Sequence, residues 1–330
     1  MKKIIFLIAS ILMIIIIISD NQNVRNSVIT GIHICSENLI PSLLPICFVT
    51  TLIINSGAIT SVNHKLSVPL FFIISQIAGY PVGAVLISSA VQENMISKKD
   101  AQRILPSMIC AGPPFIISFV GELLFESKLL GIYMYAALLF SNIIIFLISK
   151  GTKVSLRKTK DFSLSDEIDK SVKKSAVTVF NICCYVILFF ALKTLISNFF
   201  GEKISQILIC IFEVTNGVIE TSNIYIVCAV LSWGGICVML QIKGITINIG
   251  ISFYKIMIWR FISVLISCSV LRLLTYVFPI KNAVFSNLTQ KPTILLGGNF
   301  SFLVFAIFSI IVMLLSLRRR TTGQFLKDII

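Results

Sequence analysis

The chain has 330 residues, 56% of them hydrophobic and 13% charged, and its mean hydropathy is +0.97. No water-soluble fold of this size hides that much apolar surface, and the apolar runs are continuous, without the two-residue alternation of a β-barrel, so the composition defines an all-α polytopic membrane protein. The net charge of +14 is spread over short loops and the two ends with no basic recognition motif, which points to topology and membrane lipid and excludes nucleic acid as the partner.

Residues 1–20 have a basic start and an apolar run but no small-residue cleavage pattern, so they read as a retained N-terminal span. Further apolar segments lie at 39–59, 66–91, 104–125, 128–149, 175–200, 204–220, 224–242, 253–278 and 294–317. A helix needs about 20 residues to cross the hydrocarbon core. Segments 104–125 and 224–242 carry AGPPF and SWGG at their centres, and both are predicted to be re-entrant hairpins. About eight spans remain, the last at 294–317. On that topology 17 basic residues share a side with both termini, and 8 lie opposite, Lys98, Lys99 and Arg103 among them. The positive-inside rule then places both termini in the cytoplasm. The polar stretch 150–174, with eight basic and four acidic residues, is predicted to be a cytoplasmic linker.

The segments on either side of that linker follow the same order. In 38–149 a span is followed by a helix ending in GYPVG (79–83), a break at AGPPF (111–115) and a full span. In 175–278 a span is followed by a helix ending in EVTNG (213–217), a break at SWGGI (232–236) and a full span. The two halves start on opposite sides, so the sequence predicts an inverted repeat with broken helices. Secondary transporters use this pattern to bring interrupted backbone to the bilayer midplane. Bare N–H and C=O groups are costly in lipid and persist only where protein or a wet cavity faces them. Close helix packing through small residues is the competing explanation of any single break.

Helices that begin after GYP and GPP offer N–H donors to an anion, and Pro suits a first helical position because its missing N–H costs nothing there. The predicted substrate-binding residues are Gly79, Tyr80, Pro81 and Gly83, then Gly112, Pro113, Pro114 and Phe115. In the second half they are Glu213, Thr215, Asn216, Gly217, Ser232, Gly234, Gly235 and Gln241, with Arg260 as a charge inside a span. Three roles are open to Glu213: pairing with Arg260, holding a proton, or meeting a coupling cation. Lys193 is expected to snorkel outward. No HExxH, GxSxG or Walker loop is present, so neither enzyme activity nor a catalytic residue is expected. Nine Cys without a CxxC pair and two isolated His give no metal site and no cofactor, and the coupling ion stays open. A homo-oligomer is compatible with the sequence.

These residues carry a resemblance. SLLPICFVTTLIINSGA, GYPVGAVL and KKDAQRILPSMICAGPPFIISFVGELLF, then LSWGGICVMLQIKG and YKIMIWRFISVLIS, resemble the YlbJ family of sporulation integral membrane proteins. Its segments carry the nucleoside-recognition, or Gate, motif shared with concentrative nucleoside transporters. The resemblance spans about residues 38–278. It implies a protein of spore-forming bacteria that acts at the outer forespore membrane and moves the small dicarboxylate dipicolinate towards the forespore. A nucleoside-type transporter and a structural or assembly protein of the developing spore are the alternatives. An intramembrane enzyme or lipid flippase is disfavoured, because no paired catalytic side chains are visible.

Overall fold

The structure is a computed structural model that describes residues 18–56, 64–92, 94–149 and 164–280, together with 11, 14 and 15. Helix α1 runs over Asn21–Asn55. It passes through a π-turn at Cys35–Leu39, just ahead of Pro41 and Pro45, where missing N–H groups break the regular ladder. α2 (His64–Ala78) and α3 (Val82–Gln92) follow. Next come α4 (Lys98–Ile104), a 3₁₀ turn (Leu105–Met108) and the π-wound α5 (Pro114–Leu124). α6 (Lys128–Ile148) closes the first half. The second half contains α7 (Leu164–Phe199), α8 (Glu202–Phe212) and α9 (Val214–Ile219). It ends with α10 (Ile224–Trp233), α11 (Gly235–Ile245) and α12 (Phe253–Val277). Ser97, Ser127 and Asn223 cap α4, α6 and α10 by accepting from first-turn N–H groups.

Polar contacts fix the two ends of the bundle. At one end Asn55 Nδ2 donates to Ser171 Oγ, Lys174 Nζ to Ser89 Oγ, Ser88 Oγ to the Ile245 carbonyl, Gln102 Nε2 to that of Ile249 and Ser149 Oγ to that of Arg103. At the other end Lys193 pairs with Glu220, Asn198 Nδ2 donates to Asp20, and Tyr225 shares a hydrogen bond with Thr275. Along the interface of α1 and α7 the contacts run Asp20–Asn198, Ser27–Thr194, Cys35–Cys183 and Asn55–Ser171. Numbers rise on one helix as they fall on the other, so these two long helices are antiparallel. α6 meets α12 at Ser141 and Ser263, 3.0 Å apart through their hydroxyls.

Five helical stretches among the described residues are long and apolar enough to cross a membrane: Asn21–Asn55, Lys128–Ile148, Ser165–Phe199, Ile224–Ile245 and Phe253–Val277. The sequence reading of the folded-back segments needs correction. Segment 224–242, predicted to be re-entrant, runs end to end as α10 and α11, bent at Gly234. The α4–α5 segment, predicted likewise, starts beside Ser149 and ends beside the start of α6, at the opposite end of the bundle. The folded-back segments are instead 64–92 and 202–219, which correspond to the stretches 66–91 and 204–220 predicted to cross. α2 and α3 have 15 and 11 residues, about 22 and 16 Å, and neither spans a core of about 30 Å alone. They lie against each other, with Gly83 packed on Ser75, and α3 returns to the end it came from. α8 and α9 do the same from the other end: Cys210 Sγ donates to the Gly217 carbonyl, and Glu220 comes back to Lys193. Lys98, Lys99 and Arg103 consequently stand at the end where Ser149 and the start of α7 flank residues 150–163. The spans predicted at 1–20 and 294–317 lie wholly or largely outside the described residues.

One apolar core joins α2–α6 to α9–α12, and a second joins α1 to α7 around the α2–α3 tip. The outer face is apolar as well: Ile73, Leu147, Ile207, Phe261 and Leu265 are all more than half exposed. Helices apolar both inside and outside suit a lipid solvent.

Candidate functional site

Four interruptions leave backbone groups without helical partners. The first is Gly79–Pro81, between α2 and α3. Gly79 has φ +78°, and a Cβ there would sit 2.7 Å from the Gly112 nitrogen, so only glycine fits. The Tyr80–Pro81 peptide is cis. The second is the non-helical stretch 109–112, with Ile109 extended, ahead of Pro113 and Pro114, which start α5. The third is Glu213 in extended conformation, φ −144° and ψ 131°, between α8 and α9. The fourth is Gly234, φ +78°, between α10 and α11.

All four come together. Tyr80 N donates to the Cys110 carbonyl at 2.6 Å, which ties the first interruption to the second. A Cβ on Gly235 would lie 2.8 Å from the Phe212 carbonyl oxygen and 3.1 Å from Glu213 Cα, so the third and fourth touch through a bare glycine. The halves are joined by Arg260 of α12, which is 2% exposed. Its Nε and Nη2 donate to the Ser232 carbonyl at 2.8 and 2.5 Å, Nη1 donates to the Ile109 carbonyl at 2.5 Å, and Nη2 also reaches Ser263 Oγ at 2.9 Å. Carbonyls at interrupted helix ends carry partial negative charge, and a guanidinium with five fixed donors satisfies several at once.

Glu213 is also 2% exposed. Its Oε1 accepts from Thr215 N at 2.9 Å, and its Oε2 from Asn216 N at 2.6 Å and Asn216 Nδ2 at 2.9 Å. Of the three roles left open for Glu213, pairing with Arg260 does not form. Each charge is satisfied separately, one by N–H groups and the other by carbonyls.

Tyr80, Gly112, Phe115, Glu213, Thr215 and Gln241, all predicted site residues, line a cavity of about 50 Å³ at this junction. Gln241 Nε2 reaches Cys237 Sγ at 3.3 Å. The other predicted residues stand behind the wall. Gly79 packs on Gly112, Gly83 on the Met108 carbonyl, and Gly217 on Cys210 and Val230. Pro81, Pro113 and Pro114 begin helical turns, Asn216 holds Glu213, Ser232 receives Arg260, and Gly234 and Gly235 make the fourth bend. A larger concavity of about 540 Å³, lined by Ile207, Ile211, Trp233 and Phe261, lies on the apolar outer face away from these groups.

Sequence reasoning missed one polar network. Gln76 Nε2 donates to Ser75 Oγ and the Ser107 carbonyl, both at 3.0 Å. Asn142 Nδ2 donates to Gln76 Oε1 at 2.9 Å and to the Ile109 carbonyl at 3.3 Å. Asn142 thus does for the first half what Arg260 does for the second. The signal was there: Gln76 and Asn142 are uncharged polar residues inside apolar runs. Among the described residues, three buried side-chain polar atoms have no protein partner: Tyr80 Oη, Asn142 Oδ1 and Asn216 Oδ1. All three belong to residues of this junction or its support. Also among the described residues, no group of three or more His, Cys, Asp or Glu is placed to hold a metal ion.

Fold and junction together define a polytopic helical membrane protein whose interrupted helices meet inside the bundle. The comparison with known proteins agrees with that class. Over 126 residues the chain is 30% identical to the sporulation integral membrane protein YlbJ of Bacillus subtilis, a match covering 34% of this chain and 31% of that protein. The chain is similar to YlbJ over that third of its length, and the match supports the resemblance read from its residues. No family model matches the chain, and no solved structure matches it significantly.

Proposed function

We propose that this chain is a membrane transporter of a small anionic metabolite, with dipicolinate as the candidate, and that it works by exposing the junction cavity alternately to the two sides. The observation that carries this reading is the meeting of four helix interruptions, two from each half, around one cavity. The shared order of elements and the antiparallel α1–α7 pair support reading residues 38–149 and 175–278 as Gate-like repeats of opposite topology. An anion as cargo rests on the dipicolinate that the resemblance implies; Arg260 is buried but holds carbonyls away from the cavity wall. The linker end, which also carries Lys98, Lys99 and Arg103, reads as cytoplasmic by the positive-inside rule. The sporulation role and the forespore membrane rest on the YlbJ relative's name and on the resemblance.

A cavity of about 50 Å³ holds one or two waters, whereas small-molecule sites run to roughly 300 Å³ or more. On this reading the cavity is in its closed form, and loading requires the two hairpin tips to part. Uptake of labelled dipicolinate into proteoliposomes tests the reading. Saturable uptake that is lost in Gly112→Leu, with the variant still inserted, is expected. Uptake no faster than in empty liposomes would refute it. One observation favours a neutral, nucleoside-type substrate instead: Glu213 is the charged side chain on the cavity wall. Labelled nucleoside in the same assay decides between them.

A further inference from the structure

Building on the transporter reading, we infer that its anionic substrate enters the cavity together with one proton, and that Glu213 carries that proton. The geometry sets the problem. Glu213 lines a cavity of about 50 Å³. Arg260, the other buried charge among the described residues, spends its donors on the Ser232 and Ile109 carbonyls and does not line it. An incoming carboxylate therefore meets a carboxylate, with no cation on the wall to separate them. Two like charges in one small site do not both stay ionised. Neutralising Glu213 removes the conflict, and the neutral side chain stays buried at low cost.

The ion that neutralises it is a proton rather than a metal. Both Glu213 oxygens already face N–H groups, Oε1 that of Thr215 and Oε2 those of Asn216. A hard cation needs several oxygens turned towards it, and the positive ends of those N–H groups point where it would sit. A proton needs only one oxygen. It moves from water to a Glu213 oxygen, forming one O–H bond, and leaves by the reverse step on the far side. Within electrostatic reach of Glu213 are the Tyr80 hydroxyl from the α2–α3 tip, the Cys237 thiol of α11 and the Cys35 thiol of α1. All three are ordinarily neutral at pH 7. From α7 the wall receives only Ile182 and Val186. Glu213 is the group in this set whose charge the substrate must displace.

The test uses the full chain in proteoliposomes with labelled dipicolinate, at pH values where the substrate stays fully ionised and with the membrane potential clamped at zero. One proton per substrate means that an inward proton gradient of one pH unit raises steady-state accumulation about tenfold. A sodium gradient is expected to do nothing. Glu213→Gln is expected to lose the tenfold response to the proton gradient, so that its dipicolinate uptake never rises above equilibrium. Should that variant fail to reach the membrane, a pH dye in wild-type vesicles is expected to report one proton entering per dipicolinate. Wild-type accumulation indifferent to pH, accumulation driven by sodium, or gradient-driven accumulation by Glu213→Gln would each overturn proton coupling and leave the transporter reading in place. No dipicolinate uptake under any condition would overturn both.

Discussion

Replacing Arg260 by Met removes the guanidinium but keeps much of its bulk, and the structure sets the cost. The Ser232 carbonyl loses two donors, at 2.8 and 2.5 Å. The Ile109 carbonyl loses its shorter donor and keeps Asn142 at 3.3 Å. Ser263 Oγ keeps its partner Ser141. One buried carbonyl stripped of its donors costs about 1–3 kcal/mol, and a second weakened one adds about half as much. Relief from burying a charge offsets part of this, giving a net loss of about 1–3 kcal/mol. Arg260→Lys is expected to lose about half as much, because one ammonium cannot span both halves as the planar fork does. The assay is the unfolding midpoint of purified full-length protein in detergent, combined with mass-spectrometric mapping of alkylated cysteines. Cys110, 1% exposed and next to Ile109, is expected to become reactive in Arg260→Met. If the midpoint stays unchanged and Cys110 stays unreactive, the guanidinium holds nothing together and the junction is not built as described.

Gly83→Ala is expected to prevent accumulation of folded protein, at a cost above roughly 4 kcal/mol, because its Cβ would lie 2.0 Å from the Met108 carbonyl oxygen. Gly244→Ala, with nothing within 4 Å of the new Cβ, is expected to stabilise by up to about 1 kcal/mol. Thermal melts of the two variants check the contrast. A cysteine pair at Ser27 and Thr194, whose hydroxyls are 2.5 Å apart, is expected to cross-link under oxidation, and failure to do so would count against the antiparallel α1–α7 pair. A cysteine at Lys98 is expected to react with an impermeant maleimide from the side that labels the 150–163 segment. Labelling from the opposite side would restore the topology counted from charge.

The breaks themselves were legible in the sequence, because Gly79, Pro81, Pro113 and Gly234 are conspicuous in apolar runs. Their direction was not. A helical hairpin of 15 and 11 residues has the same summed hydropathy as a single crossing of 66–91, since hydropathy counts residues and not turns. The charge tally held a clue, because Lys98, Lys99 and Arg103 were the anomaly on the minority side. Junction residues were legible where the backbone needs glycine or proline. Partners were not: Glu213 and Arg260 attract as a pair on paper, yet each is saturated by backbone groups that no one-dimensional pattern reveals. Gln76 and Asn142 carry no charge and stand outside the Gly/Pro breaks, so the two features that marked most of the other candidates did not mark them.

Asn142 and Arg260 stand on α6 and α12, and both donate to the Ile109 carbonyl. One is a neutral amide and the other a cation, and the cation also reaches across to the Ser232 carbonyl. A single peptide oxygen thus takes support from both halves of the chain. Any motion that parts α6 from α12 at this depth must first give up one of its two donors.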